Sequence, residues 1–577
     1  RGQAEGAGLS PLTAAVQAGQ VAPAQVRDAF ERSYLEGWRN AVVDASPVLR
    51  EFTRAEHERR VTRFRELDKA LIETSAQLVR ARLAASVPAR AGRFAQASES
   101  GILNRQLELQ RRHMPIRKLF RQIPNLLPRL KPCLLMSPLS VAQYLDPKTF
   151  PPFDLVIFDE ASQIPVWDAI GAIARGRHAI VVGDSKQLPP TRFFARGDDG
   201  EAADAEDFEE LESILDECNA AGLPSLGLTW HYRSQHESLI TFSNYHYYDN
   251  RLLTFPSAVA EHPQLGVTFR PVPDGVYDRS KSRSNLREAE AIVAHLVAAL
   301  RASLERPPRE RESFGVVTFS SAQQTLIKNL LDAACVEDPE LLACFDGTQP
   351  EPVFVKNLEN VQGDERDVIL FSICYAPDAG GHMAMSFGPV NRDGGERRLN
   401  VAITRARKRV EVFSTIRADA ISLSKTRSVG VAHLKTFLDY AERGPRAIAE
   451  ATTLDPDADF ESPFEREVYR ALTRRGHDVA LQVGCSGTRI DLAVRDPERP
   501  GRFLLGIECD GASYRSSATA RDRDRLRQGV LESLGWTLHR IWSSDWWRTP
   551  DQELARLEAA IAAAARARPP AAELPHA

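Results

Sequence analysis

The sequence predicts an α/β protein built on parallel sheets, and three observations carry that prediction. Residues 153–191, FDLVIFDEASQIPVWDAIGAIARGRHAIVVGDSKQLPPT, hold two short β-branched runs, 155–158 and 179–182, each ending abruptly in acidic or glycine-acid residues. A helix-length segment separates the runs, which is the pattern of strands buried on both faces and joined by a crossover. The strand-then-helix alternation returns further on, in FGVVTFSSAQQTLIKNLL (314–331). Composition agrees: 43% hydrophobic and 26% charged over 577 residues is ordinary for globular chains, with three or four domains as the prior.

Charge and cysteine usage narrow the class. A net charge of −4 does not announce a nucleic-acid binder, so any such surface must be local. The seven Cys are scattered without a CxxC pair, which argues against a zinc site or disulfide framework and for a reducing, cytoplasmic setting. No apolar run reaches the roughly 18 residues a membrane span needs, and the start, RGQAEGAG, has no signal-peptide core. Because the first residue is Arg, a longer polypeptide is expected.

Taken in order, residues 1–131 read as helical. From Arg50 to Lys131, nineteen Lys/Arg stand against eight Asp/Glu, with helical spacing at Val61, Phe64, Leu67, Leu71 and Leu78. Such a basic hairpin or stalk serves phosphate contact, or is simply a solvated face. Residues 132–136 read as an apolar strand turning at Ser137-Pro138 into a short helix near Ser140. The next two strands deliver Asp159, Glu160, Asp184 and Gln187 to one carboxyl edge, where ligands of parallel sheets bind. Adjacent carboxylates there suit phosphoryl transfer: Asp159 holds Mg²⁺ and Glu160 orients or deprotonates the attacking water. Taken alone, Asp-Glu after a strand as readily caps a helix. The acidic run 198–217 reads as exposed, and Ala, Thr, Asp and Pro around Glu450–Asp459 mark a linker at 446–459.

DEASQ and GDSKQLPP together resemble motifs II and III of superfamily-one helicases, in the branch of the nonsense-mediated-decay RNA helicase. Further matches follow in that family's order: the Ser137/Ser140 turn before motif II, Tyr232-Arg233 in LGLTWHYRSQ, the motif-IV strand ending at Thr318, VKNLENVQGDERDVILFSICY (355–375), and RRLNVAITRARKRVEVF (397–413). The resemblance implies two RecA-like sheets clamping ATP, the first incomplete here and carrying a helical insert, over residues 132–225 and 226–445. It implies that Gln187, Arg233 and Arg405 reach the γ-phosphate and that Tyr232 stacks on the base. In the 355–375 string Glu359, Gln362, Gly363 and Glu365 match motif V, where Gly363 lets the backbone approach and Glu365 takes the ribose. Ser137, Ser140 and Thr318 would touch single-stranded or forked DNA, or RNA. The sequence contains no G-x-x-x-x-G-K-[ST], the loop that cradles phosphates. That loop is expected in an upstream part of the same protein, and little ATPase activity is expected without it. The rival reading is an ATP-incompetent nucleic-acid-binding module.

Beyond the linker, residues 460–577 place Glu465 on a first helical turn. Two following strands carry Asp491 and the pair Glu508-x-Asp510. Strand alternation puts Glu508 and Asp510 on one sheet face, and converging carboxylates make a hard-cation site for Mg²⁺, with Asp491 and Glu508 as ligands. The segment, including GVLESLGWTLHRIWSSDWW, resembles the PD-(D/E)XK restriction-endonuclease-like fold and, more narrowly, very-short-patch-repair endonucleases. Asp510 stands where that family has Lys and Arg515 where relatives have His, so positive charge is sought at Arg521 or Arg523. A fold kept for docking without cleavage is the alternative.

Overall fold

The computed structural model describes residues 2–88, 95, 97–190, 213–259, 265–347, 349–444, 460–484, 488–510 and 519–567. Most of the acidic run 198–217, the linker 446–459, Cys485 and Arg515 lie outside the described residues. The chain divides into compact units at Leu78/Val79. In the first, the helix Val26–Ala45 leads to the 33-residue helix Arg54–Ser86, which continues past the division. Pairs such as Arg54–Glu58 (2.7 Å) and Arg60–Glu56 (3.1 Å) run along its surface. Spaced four residues apart, they stabilise a long polar helix by a few tenths of a kcal/mol each, about 0.3–0.5. Among the described residues no helix is long and apolar enough to cross a membrane.

The second unit holds three sheets. β1 (Phe153–Phe158) and β2 (Gly176–Val181) pair in parallel, as the sequence predicts. They are not the buried strands expected, however: Leu155 is 42% exposed, Ile157 60% and Ile180 48%. The residues at 133–136, expected as a strand, form none, and Leu135 is fully exposed. With two strands, only the side facing helix Val166–Ile173 and the end near Phe158 and Ala161 gain an apolar cluster.

β3 (Gly266–Pro271), β4 (Phe314–Thr318), β5 (Phe354–Asn357), β6 (Arg366–Ser372) and β7 (Ala406–Ser414) form a parallel sheet in the order β3-β7-β6-β4-β5. Alternation along β6 explains why it is covered on both faces. Val368 and Leu370 face one cluster with Ile292, Leu296 and Ile327 of helices Leu286–Leu304 and Ser321–Glu337. Ile369 and Phe371 face the other, with Phe242, Leu399 and Phe437 of helices Ser238–Tyr247, Gly395–Ile403 and Val429–Arg443. Asn285, Ser320 and Ser428 accept from backbone N–H groups at the first turns of three of these helices, satisfying donors that a helix start leaves open.

β8 (Val479–Val483), β9 (Ile490–Arg495), β10 (Phe503–Cys509) and β11 (Leu538–Ile541) form the third sheet, in the order β11-β10-β9-β8, antiparallel except for the β10/β11 pair. Helices Pro463–Arg474 and Pro550–Arg566 cover one face through Phe464, Val468, Leu557 and Ile561.

Candidate functional site

β1 ends in Asp159 and Glu160. Glu160 takes a left-handed backbone, φ 51° and ψ 42°, which a non-glycine residue rarely adopts and which clusters at functional sites. Asp159 accepts from the Glu160 amide (3.0 Å), and Glu160 Oε2 accepts from Gln163 (3.4 Å) and from Gln362 (3.1 Å). The last of these bonds joins the β1 edge to the loop between β5 and β6. Past β2, Asp184 Oδ2 accepts from Gln187 Nε2 (3.0 Å) and from the Tyr248 hydroxyl (2.7 Å). Asn400 Nδ2 donates to that same hydroxyl (3.0 Å) and to the Lys186 carbonyl (2.9 Å). Leu188 lies in the apolar cluster of the five-stranded sheet. The loop 184–190 is therefore clasped by residues of the larger sheet domain.

The guanidiniums stand at the same cleft. Arg233 Nε pairs with Glu365 Oε2 at 2.8 Å. Arg405 is 5% exposed, donates to the Val401 carbonyl (2.7 Å) and Thr404 Oγ1 (3.1 Å), and has its pKa lowered by burial and by Arg233, against the pull of Glu160 and Glu365. Tyr232 is 75% exposed, an open ring face. Gly363 has φ 85° with open space where a Cβ would stand, so the turn rather than crowding calls for glycine there. Ser137 caps the helix Pro138–Tyr144, accepting from the Ser140 amide (3.2 Å). Thr318 is a correction: expected at a nucleic-acid surface, it is fully buried and donates to the Ser320 carbonyl (2.9 Å). Its hydroxyl is consumed in shaping the turn after β4.

In the C-terminal domain Glu465 accepts from Ser462 Oγ (2.9 Å), the Glu461 amide (3.2 Å) and Gln482 Nε2 (3.2 Å). Burial raises its pKa. Asp491 accepts from the Cys509 amide (2.8 Å), and burial pushes its carboxyl up to about 7. One carboxylate oxygen from each of Glu461, Glu465 and Asp491 lies within 4.8 Å of the others. Oxygen donors so grouped fit a hard divalent cation such as Mg²⁺.

Glu508 takes a different environment. Its Oε1 pairs with Arg527 (3.2 Å) and its Oε2 with Arg540 (3.0 Å), while Arg540 also reaches Asp524 (3.1 Å). The sequence points to Arg521 or Arg523 for positive charge, yet Arg523 pairs with Asp524 (2.8 Å), and Arg527 and Arg540 supply the charge at Glu508. Arg540 stands opposite Glu508 in the β10/β11 register; the alternation of LHRI was the available signal. Asp510, expected on the same face as Glu508, accepts from the Ser543 amide (2.8 Å) and hydroxyl (2.9 Å). β10 stops at Cys509, so strand alternation no longer governs position 510.

Comparison with known proteins finds similarity along most of the chain. Two AAA-domain models match residues 130–194 and 211–417, and a restriction-endonuclease model, REase_MTES_1575, matches residues 464–561. An uncharacterized ATP-dependent helicase from Mycoplasma pneumoniae, the MG140 homolog, is 32% identical over 454 residues, 75% of this chain and 39% of its own length. MG140 of Mycoplasma genitalium is 30% identical over 466 residues, 77% and 40% respectively. The DNA replication ATP-dependent helicase/nuclease DNA2 of Saccharomyces cerevisiae is 25% identical over 323 residues, 50% and 18%. The chain spans about two fifths of the length of the two mycoplasma relatives.

Proposed function

We propose, for a chain that carries the AAA domains of superfamily-one helicases and a restriction-endonuclease-like domain, that it is the carboxyl-terminal part of an ATP-driven nucleic-acid translocase. Opening and closing of the cleft between the two AAA sheets drives it along single-stranded DNA or RNA. The observation that carries this reading is the convergence of Glu160, Gln362, Arg233, Glu365 and Arg405 on one cleft. Asp159 would hold Mg²⁺ and Glu160 the attacking water, with Gln187, Arg233 and Arg405 on the γ-phosphate, Tyr232 on the base and Glu365 on the ribose. Mg²⁺ neutralises phosphate charge when bound. The Arg233–Glu365 pair must then exchange for nucleotide contacts.

The exposed apolar residues Leu155, Ile157 and Ile180 support a further part of the reading: an upstream segment of the same polypeptide covers them and brings the phosphate-binding loop. Nucleic-acid-stimulated hydrolysis measured on residues 1–577, alone and joined to that segment, tests the whole. Little turnover is expected alone and at least a hundredfold more when joined; robust turnover by residues 1–577 alone overturns the loop requirement.

For the C-terminal domain, Glu465 and Asp491 would hold Mg²⁺, which supplies an activated water for phosphodiester cleavage. The pairing of Glu508 with two guanidiniums favours a second reading, a nuclease fold that docks DNA without cutting it. Nicking of supercoiled DNA in the same preparations, with Mg²⁺ or Mn²⁺, decides between them.

A further inference from the structure

The segment 253–259 links two parts of the molecule that the sequence gives no reason to connect. On one side Leu253 forms an isolated bridge with Trp230, just before Tyr232-Arg233: its amide donates to the Thr229 carbonyl (2.7 Å) and its carbonyl accepts from the His231 amide (3.0 Å). On the other side, the segment is built into the restriction-endonuclease-like domain. The Phe503 amide donates to the Ala258 carbonyl (3.0 Å), Val259 bridges Arg502, and Trp536 Nε1 donates to the Pro256 carbonyl (2.8 Å). Phe255 and Ala258 share an apolar cluster with Ile490, Leu531 and Trp536, and Trp230 packs on it with its ring 5.2 Å from that of Phe255.

Magnitudes decide what holds the Tyr232-Arg233 approach in place. Two backbone bonds contribute about 1 kcal/mol each, whereas ordering one residue costs roughly 1–2 kcal/mol. Residues preceding the bridge gain little from burial: Leu226 is 97% exposed and Leu228 87%. The aromatic contact of Trp230 with Phe255 is thus the main apolar anchor on the N-terminal side, and the domain carrying Trp536 supplies most of the surface beneath it. On the C-terminal side, the Gln235 amide donates to the Arg407 carbonyl (2.7 Å). Arg233 therefore sits on a short span with one footing in the five-stranded sheet domain and the other on the nuclease-like domain.

We infer that Trp536 is a positioning residue for Tyr232 and Arg233: through Phe255 and Trp230 it fixes the loop that presents them to the cleft. The inference rests on the proposed reading of those two residues as nucleotide contacts, but the order of the loop is measurable without nucleotide. The nuclease-like domain is then a structural part of the motor, required whether or not it cuts DNA.

Amide hydrogen exchange on the whole chain tests this, comparing wild type with Trp536→Ala and Trp536→Phe. Exchange in peptides covering 228–233 and 251–257 should quicken at least tenfold in Trp536→Ala and about threefold in Trp536→Phe, which keeps a ring and loses the N–H donor. A peptide covering 397–413 should stay within twofold of wild type. Selective loosening in either variant supports the inference. No loosening in either, or loosening only together with 397–413, overturns it. The nucleotide assignment fails separately: if the loop loosens and, in the chain joined to the loop-bearing upstream segment, the affinity for a fluorescent ATP analogue is unchanged, Trp536 orders the loop but Arg233 and Tyr232 do not bind the nucleotide.

Discussion

Two groups of carboxylates stand out in this protein, one past the ends of β1 and β2 and one on a helix and two strands of the nuclease-like domain, and they are kept in opposite ways. Asp159, Glu160 and Asp184 border an open two-stranded sheet, and their hydrogen-bond partners are neutral: backbone amides, the side chains of Gln163, Gln187 and Gln362, and the Tyr248 phenol. Glu465, Asp491 and Glu508 are 1%, 3% and 8% exposed. Burial of a charge must be offset, and this domain uses two devices: guanidiniums at Glu508 and a raised pKa at Asp491. The same residue types thus have different chemistry. The first group lies open or half-open to solvent, while the second has its charge managed by the protein itself.

The largest test of that contrast is Arg540→Ala. It takes one of two guanidiniums from each of Glu508 and Asp524, with side chains 11% and 3% exposed, and removing a partner from a buried pair costs up to about 3–5 kcal/mol. The unfolding transition of the nuclease-like domain in urea should shift by that amount. A loss under about 1 kcal/mol would mean that solvent reaches Glu508 and that the two clusters are alike.

Next in size is a pH effect at Asp491. Its folded pKa of about 7 lies above the unfolded value of about 3.9, so the neutral form is favoured in the fold. Stability from this group is fully present below about pH 4 and is lost as pH rises through 7. Between pH 5 and pH 8 the wild-type domain should lose about 2–3 kcal/mol by this route. Asp491→Asn, which can still accept from the Cys509 amide, should abolish most of that slope in thermal melts taken across the range. An unchanged slope would show that burial does not favour the neutral carboxyl.

The two clusters also differed in how legible they were. In the first, string motifs put Asp159, Glu160, Gln187, Arg233 and Arg405 in chain order, and short local strands and caps determine where each one falls. The strand-then-helix pattern at 314–331 was equally readable, because β4 is an apolar run buried on both faces. What escaped was set by long-range packing. Arg540 finds Glu508 only once β11 pairs with β10 and Arg527 reaches it from a separate helical segment, Thr318 loses its outward role once the turn after β4 closes, and Tyr248 meets Asp184 from 64 residues away with Asn400 bonded to its hydroxyl. The exposure of β1 and β2 is not legible for a related reason: an apolar run predicts burial without showing what covers it.

The smallest expected effect sharpens the contrast from the other side. Glu160→Gln keeps an acceptor for Gln362 and removes only the charge of an exposed side chain. Surface changes of that kind stay within about 0.5 kcal/mol, so the melting profile should match wild type from pH 5 to 8. In a chain that hydrolyses ATP the same change should abolish turnover, because an amide cannot take a proton from the attacking water. A glutamate that is silent in stability and decisive in turnover is one held for a ligand. If Glu160→Gln instead cost more than about 1 kcal/mol, a load well beyond an ordinary surface site, its carboxylate would be holding the two sheets together through Gln362. The open cluster would then be as structural as the buried one.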